Sequence, residues 1–184
     1  MKNRKLLDFL ALLMISALVI TASAAIYYSL GMTSTITTAT TDVWFVPGVD
    51  NGTAGLSLSP ENTSATLASL KAYPNASVTY TDPVRIRNNH STSTYDVRLK
   101  PVSLSGNDTE FIYVKFLLLE GIYEDNSTLA SLNYTCDGSS WTIPSTTSWV
   151  QIPASTEYAI SVITMAKDSA AAASVSIEIA IDVQ

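Results

Sequence analysis

The sequence predicts an all-β chain: a jelly-roll or Ig-like β-sandwich of about eight strands, preceded by an extended N-terminal donor strand and admitting one short helix. Three observations carry this. The C-terminal segment SVSIEIAIDV sets Val175, Ile177, Ile179, Ile181 and Val183 on one side and Ser176, Glu178, Ala180 and Asp182 on the other, a period of two that fits only a half-buried strand. Val84 and Ile86 alternate with Arg85 and Arg87, and Tyr95, Val97 and Leu99 alternate with Asp96, Arg98 and Lys100. Pro, Gly, Asn and Ser punctuate the chain between such runs at the short intervals of an antiparallel sandwich.

Residues 1–24 have the plan of a secretory signal. Lys2, Arg4 and Lys5 precede an apolar run from Leu10 to Ile20 and the small residues Ala22, Ser23 and Ala24, so cleavage is expected after Ala24. Left uncut, the 25 residues Leu6–Leu30 are long enough to anchor the chain as a membrane helix. Both readings put the remainder outside the cytoplasm, at the cell surface or beyond it.

Residues 25–41 form a tail. In AIYYSLGM, Ile26, Tyr28, Leu30 and Met32 share one face, whereas Thr33–Thr41 is rich in β-branched residues with Ile36 as its one large apolar group. The tail has no evident partner in its own domain, and it suits addition as a donor strand to an open groove of a second copy. Such a head-to-tail contact, when it does not close as a ring, propagates as a filament. Four anchors contribute roughly 6 to 12 kcal/mol of burial, against about 1 to 2 kcal/mol per residue to order the backbone. Side chains alone barely break even, so the tail must also complete backbone ladders along exposed strand edges.

Residues 42–184 are the sandwich. Strands are expected near Val43–Val46, Ser77–Tyr80, Trp149–Ile152 and Tyr158–Lys167. The polar stretch Asn88–Thr94 reads as a hairpin loop joining the two alternating segments around it. Phe111–Glu120 is apolar nearly throughout, as for a central strand covered on both sides, with Lys115 as an outward-facing exception. Glu61–Lys71 carries Leu67, Ala68 and Leu70 behind Ser59-Pro60 and is predicted as the short helix. Ala170–Ala173 is too short for a stable helix and is read as a loop.

Composition removes several function classes. The 184 residues carry a net charge of −6, with 47% apolar and 14% charged residues, which is the composition of a folded chain rather than a disordered one. Loss of the leader takes away Lys2, Arg4, Lys5 and Asp8 and leaves a net charge of −8, a poor surface for nucleic acid, whose affinity comes from Lys and Arg displacing counterions. One His and one Cys form neither a His/Cys metal cluster nor an internal disulfide. A Ser-His-acid triad would require His90, which lies in a polar loop, and phosphate-loop and dinucleotide fingerprints are absent from the sequence; no enzyme and no cofactor are expected.

Asn51, Asn62, Asn75, Asn89, Asn107, Asn126 and Asn133 each open an N-x-S/T triplet without Pro in the middle. With Ser and Thr at a quarter of the residues, chance gives about two such triplets among the Asn present. The excess points to an exported, multiply N-glycosylated chain.

The order of leader, alternating tail, the Thr-rich stretch TSTITTATTDVWF, the strand pair VRIRNNHSTSTYDVRL and an all-β C-terminal half resembles the TasA/camelysin group of secreted biofilm-fibre proteins. It looks most like their archaeal relatives, the bundling-pilus subunits. The resemblance covers most of the mature chain. It implies a jelly-roll subunit that polymerises by donor-strand complementation, its tail matching loosely over Ala25–Met32, with filaments that bundle between cells in biofilms. The metalloprotease activity described for camelysin-like proteins is not carried over, because no HExxH stands here.

Other features admit a second reading. Cys136 is expected to be a buried small hydrophobe rather than an intermolecular partner. Oxygen-rich loops at Asp50-Asn51, Asn107-Asp108-Thr109-Glu110 and Glu124-Asp125-Asn126 would hold Ca²⁺ only if folded together, and none has EF-hand spacing. Trp44, Trp141 and Trp149 would form a sugar-binding platform if exposed together, although large aromatics more often fill a core. A type IV pilin-like subunit would keep Leu6–Leu30 as a filament helix and be cut near Lys5, where no small residue precedes the cut.

Overall fold

The computed structural model of the chain describes residues 31–38, 42–106, 109–121, 127–168, 170–171 and 173–184. Twelve strands occur among them, in order β1 (Gly31–Thr38), β2 (Val43–Pro47), β3 (Leu56–Leu58), β4 (Ser64–Leu70), β5 (Val78–Asn88), β6 (Tyr95–Ser105), β7 (Phe111–Leu119), β8 (Thr128–Cys136), β9 (Trp141–Thr142), β10 (Val150–Ile152), β11 (Glu157–Ala166) and β12 (Ser174–Val183). One helical turn, α1 (Asn51–Ala54), ends at Gly55 in the left-handed conformation. Two six-stranded sheets result: β10-β6-β12-β1-β4-β3 and β2-β5-β11-β7-β8-β9.

Alternation sets the inner faces. Val175, Ile177, Ile179 and Ile181 of β12 and Val97 and Leu99 of β6 point inward from the first sheet, and Ile86, Phe116, Leu118, Leu132 and Tyr134 from the second, all within one hydrophobic core. Phe116 and Tyr134 meet edge to face with ring centroids 6.1 Å apart. β5 runs unbroken through Pro83 because its pairing with β11 slips between Ile160 and Val162, so the proline falls where no ladder donor is needed. The loop after β2 is held down on β5: Asp82, 3% exposed, accepts from Val49 N at 3.1 Å, and a Cβ at Gly48 would lie 2.1 Å from the Asp82 carbonyl oxygen.

The all-β sandwich is as the sequence predicts, with three corrections to its parts. Glu61–Lys71 contains strand β4 rather than a helix; Ala65 and Leu67 are buried at a spacing of two, and the segment sits between β1 and β3, where ladder hydrogen bonds outweigh its helix propensity. Asn88–Thr94 is not a hairpin loop: β5 and β6 belong to different sheets, and the connection crosses the sandwich edge. The tail does have a partner in its own domain, since Gly31–Thr38 pairs with β12 and β4.

Smaller differences follow from the same packing. Strands β3, β8 and β9 were not anticipated, although Ala130, Leu132, Tyr134 and Cys136 of β8 alternate plainly with Ser131, Asn133 and Thr135. β7 is covered on one face only. Tyr113, Lys115 and Leu117 are half-exposed on the other face, and the Lys115 ammonium lies 4.5 Å from the centre of the Tyr113 ring. Cys136 is buried at the end of β8.

Candidate functional site

The site is the slot that β1 fills. β1 runs parallel to β12, with Ser34 level with Ile177 and Ile36 with Ile179, and antiparallel to β4, with Ser34 opposite Leu67 and Ile36 opposite Ala65. Every other ladder between the described strands is antiparallel. Without β1 the first sheet divides into β10-β6-β12 and β4-β3, and the facing edges of β12 and β4 lose their backbone partners along the strand. β1, the first strand among the described residues, is thus what joins the two parts of this sheet.

The side chains described for it, Thr33 to Ile36, hold it weakly. Ser34 and Ile36 face inward and are fully buried, whereas Thr33 is exposed and Thr35 half-exposed. Burying Ile36 contributes about 1.5 to 3 kcal/mol. The Ser34 hydroxyl is buried with no hydrogen-bond partner among the described residues, which costs about 1 to 3 kcal/mol. The two nearly cancel, and the backbone ladders to β12 and β4 hold this part of the strand, with one further contact from Ser176 Oγ, which donates to the Thr33 carbonyl at 3.2 Å.

Of the anchors expected from the sequence, Ile26, Tyr28 and Leu30 lie outside the described residues. Met32 falls in β1, level with Val175 and opposite Leu70. Ile36, the one large apolar group of the Thr-rich stretch, and Ser34 are the inward residues of β1, and in the sequence they keep the even-numbered spacing of Ile26, Tyr28, Leu30 and Met32. Extending the period of two through the threonines would have found them.

Among the triplet asparagines, Asn75, Asn89 and Asn133 are exposed and Asn51 and Asn62 half-buried, while 107 and 126 lie outside the described residues. The Asn51 side-chain amide donates to the Gly48 carbonyl. Asn62 and Asn75 both have φ of 54°, the left-handed turn geometry that Asn tolerates. Asn133 opens onto a groove of about 610 Å³ between β8 and residues 144–148, lined by Ser, Thr, Pro, Leu, Ala and Asn.

The remaining candidates are placed apart. His90 Nδ1 accepts from the backbone N–H groups of Thr92 at 3.2 Å and Ser93 at 2.8 Å, so the ring organises its own loop. Asp50 Oδ2 accepts from Asp82 N at 3.1 Å and Glu110 from Ala171 N at 2.9 Å. No three His, Cys, Asp or Glu side chains gather to hold a metal among the described residues, and residues 107–108 and 122–126 lie outside them. Trp141 packs on Phe111 with centroids 5.9 Å apart, whereas Trp149 lies under Arg98 at 4.3 Å. No aromatic side chain lines the groove beside β8. Among the described residues, no helix is long and apolar enough to cross a membrane.

The chain matches no known family and no curated protein.

Proposed function

We propose that the chain is a structural subunit of an extracellular filament, a bundling pilus or biofilm-matrix fibre, that polymerises by placing its N-terminal strand in the β12/β4 slot of the next subunit and supports adhesion between cells. The observation that carries this reading is the position of β1: a central strand, parallel to β12 and antiparallel to β4, that is the first strand among the described residues. A slot filled from the chain's own N-terminal region accepts an extended strand from the N-terminal region of a neighbour through backbone ladders of the same kind, and repetition of that exchange is an open, head-to-tail polymer. The leader-like start and the N-x-S/T triplets support export and a glycan coat.

Electron microscopy of the purified mature chain tests it. Filaments are expected, and a synthetic peptide of residues 25–38 should shorten them by capping the slot. Leu30→Asp should leave export intact and stop polymerisation, because a carboxylate without a partner is strongly disfavoured in an apolar slot. A chain that stays monomeric at all concentrations, or filaments whose length the peptide leaves unchanged, would exclude strand exchange.

A further inference from the structure

We infer that the strand entering a neighbour's slot is shifted four residues upstream of the one that fills the chain's own: Tyr27–Ser34 occupies the positions held here by Gly31–Thr38. This rests on the strand-exchange reading above. The slot in its own chain is filled with a flaw, for Ser34 is fully buried and its Oγ has no partner among the described residues. A side chain can change places with another on the same face only in steps of two residues. A shift of two brings Ser34 to the fully buried Ile36 position, which moves the flaw without removing it. A shift of four brings Leu30 to the Ser34 position, beside Leu67 and Ile177, and Met32 to the Ile36 position, beside Ala65 and Ile179. Ser34 then moves to the Thr38 position at the end of the strand.

Chain length selects the same register. In the structure, residues 39–42 link β1 to β2, and four residues reach at most roughly 14 Å. That suffices to pass from one sheet to the other within a sandwich, whose layers lie about 10 Å apart. The far side of the link is fixed: Asp42 accepts from Tyr95 OH at 2.7 Å through its carboxylate and from Asn89 N at 2.9 Å through its carbonyl. A longer link widens the range of positions from which the slot of another copy can be reached. The upstream register releases residues 35–38 from the strand, and a link of 35–42 reaches roughly 28 Å. The Thr-rich stretch is thus a strand within one subunit and a connector between two.

Thr35 and Thr66 are opposite one another and both half-exposed on the outer face, so the register can be read by cross-linking. In a Cys136→Ala background, T35C/T66C reports the register of the structure and G31C/T66C the upstream one, each treated with a short bifunctional thiol reagent. T35C/T66C should link within the isolated subunit. In filaments, G31C/T66C should give a ladder of covalent oligomers under denaturing conditions and T35C/T66C at least tenfold less. A ladder from T35C/T66C alone would overturn the register while leaving strand exchange standing. Filaments that give no intermolecular link from either pair would overturn strand exchange itself. Ser34→Val decides the matter independently if a cysteine pair blocks assembly. It should raise the melting temperature of the isolated subunit and slow elongation about tenfold, since it removes the flaw only from the self-filled state. Unchanged elongation would overturn the inference.

Discussion

The side-chain amide of Asn88 donates to the carbonyl of Ile152 at 3.1 Å, tying the last residue of β5 in one sheet to the edge strand of the other across 64 positions of sequence. The same amide donates to the carbonyls of Ser93 at 2.8 Å and Pro153 at 3.0 Å, and Asn88 Oδ1 accepts from His90 N at 3.0 Å. Asn88 is fully buried, so this one residue directs the crossing from sheet to sheet. Asn88→Ala strands the buried Ile152 carbonyl and removes the partner of three part-buried backbone groups, and should lower stability by about 3 kcal/mol, read as a shift in the urea midpoint at constant slope.

Asp82 and Arg85 form a second fixed point. Arg85 Nε donates to both Asp82 oxygens at 3.0 and 2.9 Å, its Nη2 to Oδ2 at 2.6 Å and its Nη1 to Glu157 at 3.0 Å. The hydrogen bonds from Asp82 hold the guanidinium pKa further above its ordinary value, against the opposing effect of burial. Asp82→Ala removes the bidentate partner of that cation, leaves it paired with Glu157, and releases the loop at Val49. It should cost about 3 to 5 kcal/mol, and Asp82→Ala combined with Arg85→Met should cost less than the single change. Thermal unfolding of the two variants gives the comparison.

Tyr134 is the reverse case. Its ring is fully buried against Phe116, and its hydroxyl has no partner among the described residues. Burial pushes the phenol pKa well above its ordinary value. Tyr134→Phe removes an unpaired polar group and keeps the ring, so stability should rise by about 1 kcal/mol. A loss of stability on calorimetry would show that the hydroxyl does have a partner.

Asp137 provides a pH-dependent marker for the β8–β9 turn. The backbone N–H groups of Ser139 and Ser140 donate to its carboxylate at 2.8 and 2.9 Å, and they lower its pKa from 3.8 to about 2. A depressed folded-state pKa means that the stabilisation is complete above the unfolded value of 3.8 and is lost as pH falls through about 2. Carbon-13 titration of the carboxyl should show a midpoint near 2, and Asp137→Asn should remove the local pH dependence of the amide signals of Ser139 and Ser140.

Strand faces were legible wherever the period of two was clean. β12, β6 and the Arg85-Arg87 part of β5 needed no tertiary information, because alternation follows from the pleat of each strand. β4 was misread for a physical reason: Leu67, Ala68 and Leu70 also fit a helical face, and over so few residues neighbouring strands decide between the two. The candidate site was legible only in part. Of the expected anchors Ile26, Tyr28 and Leu30 lie outside the described residues, and the inward positions Ser34 and Ile36 are hidden in the sequence by threonines, whose polarity conceals an inward face.

The sequence by itself determined the all-β class, the inward residues of most strands, the polarity of the surface and the composition that disfavours a metal cluster or a nucleic-acid surface. These are properties of neighbouring residues and of total charge. The tertiary structure alone decided which strands are adjacent: that β5 and β6 part to different sheets, that β1 lies between β12 and β4, and that the Ser34 hydroxyl is buried with no partner among the described residues. Pairing of Ser34 with Ile177 joins residues 143 positions apart, and no local periodicity encodes such a contact. It is set by which exposed edges the whole sandwich leaves to be filled.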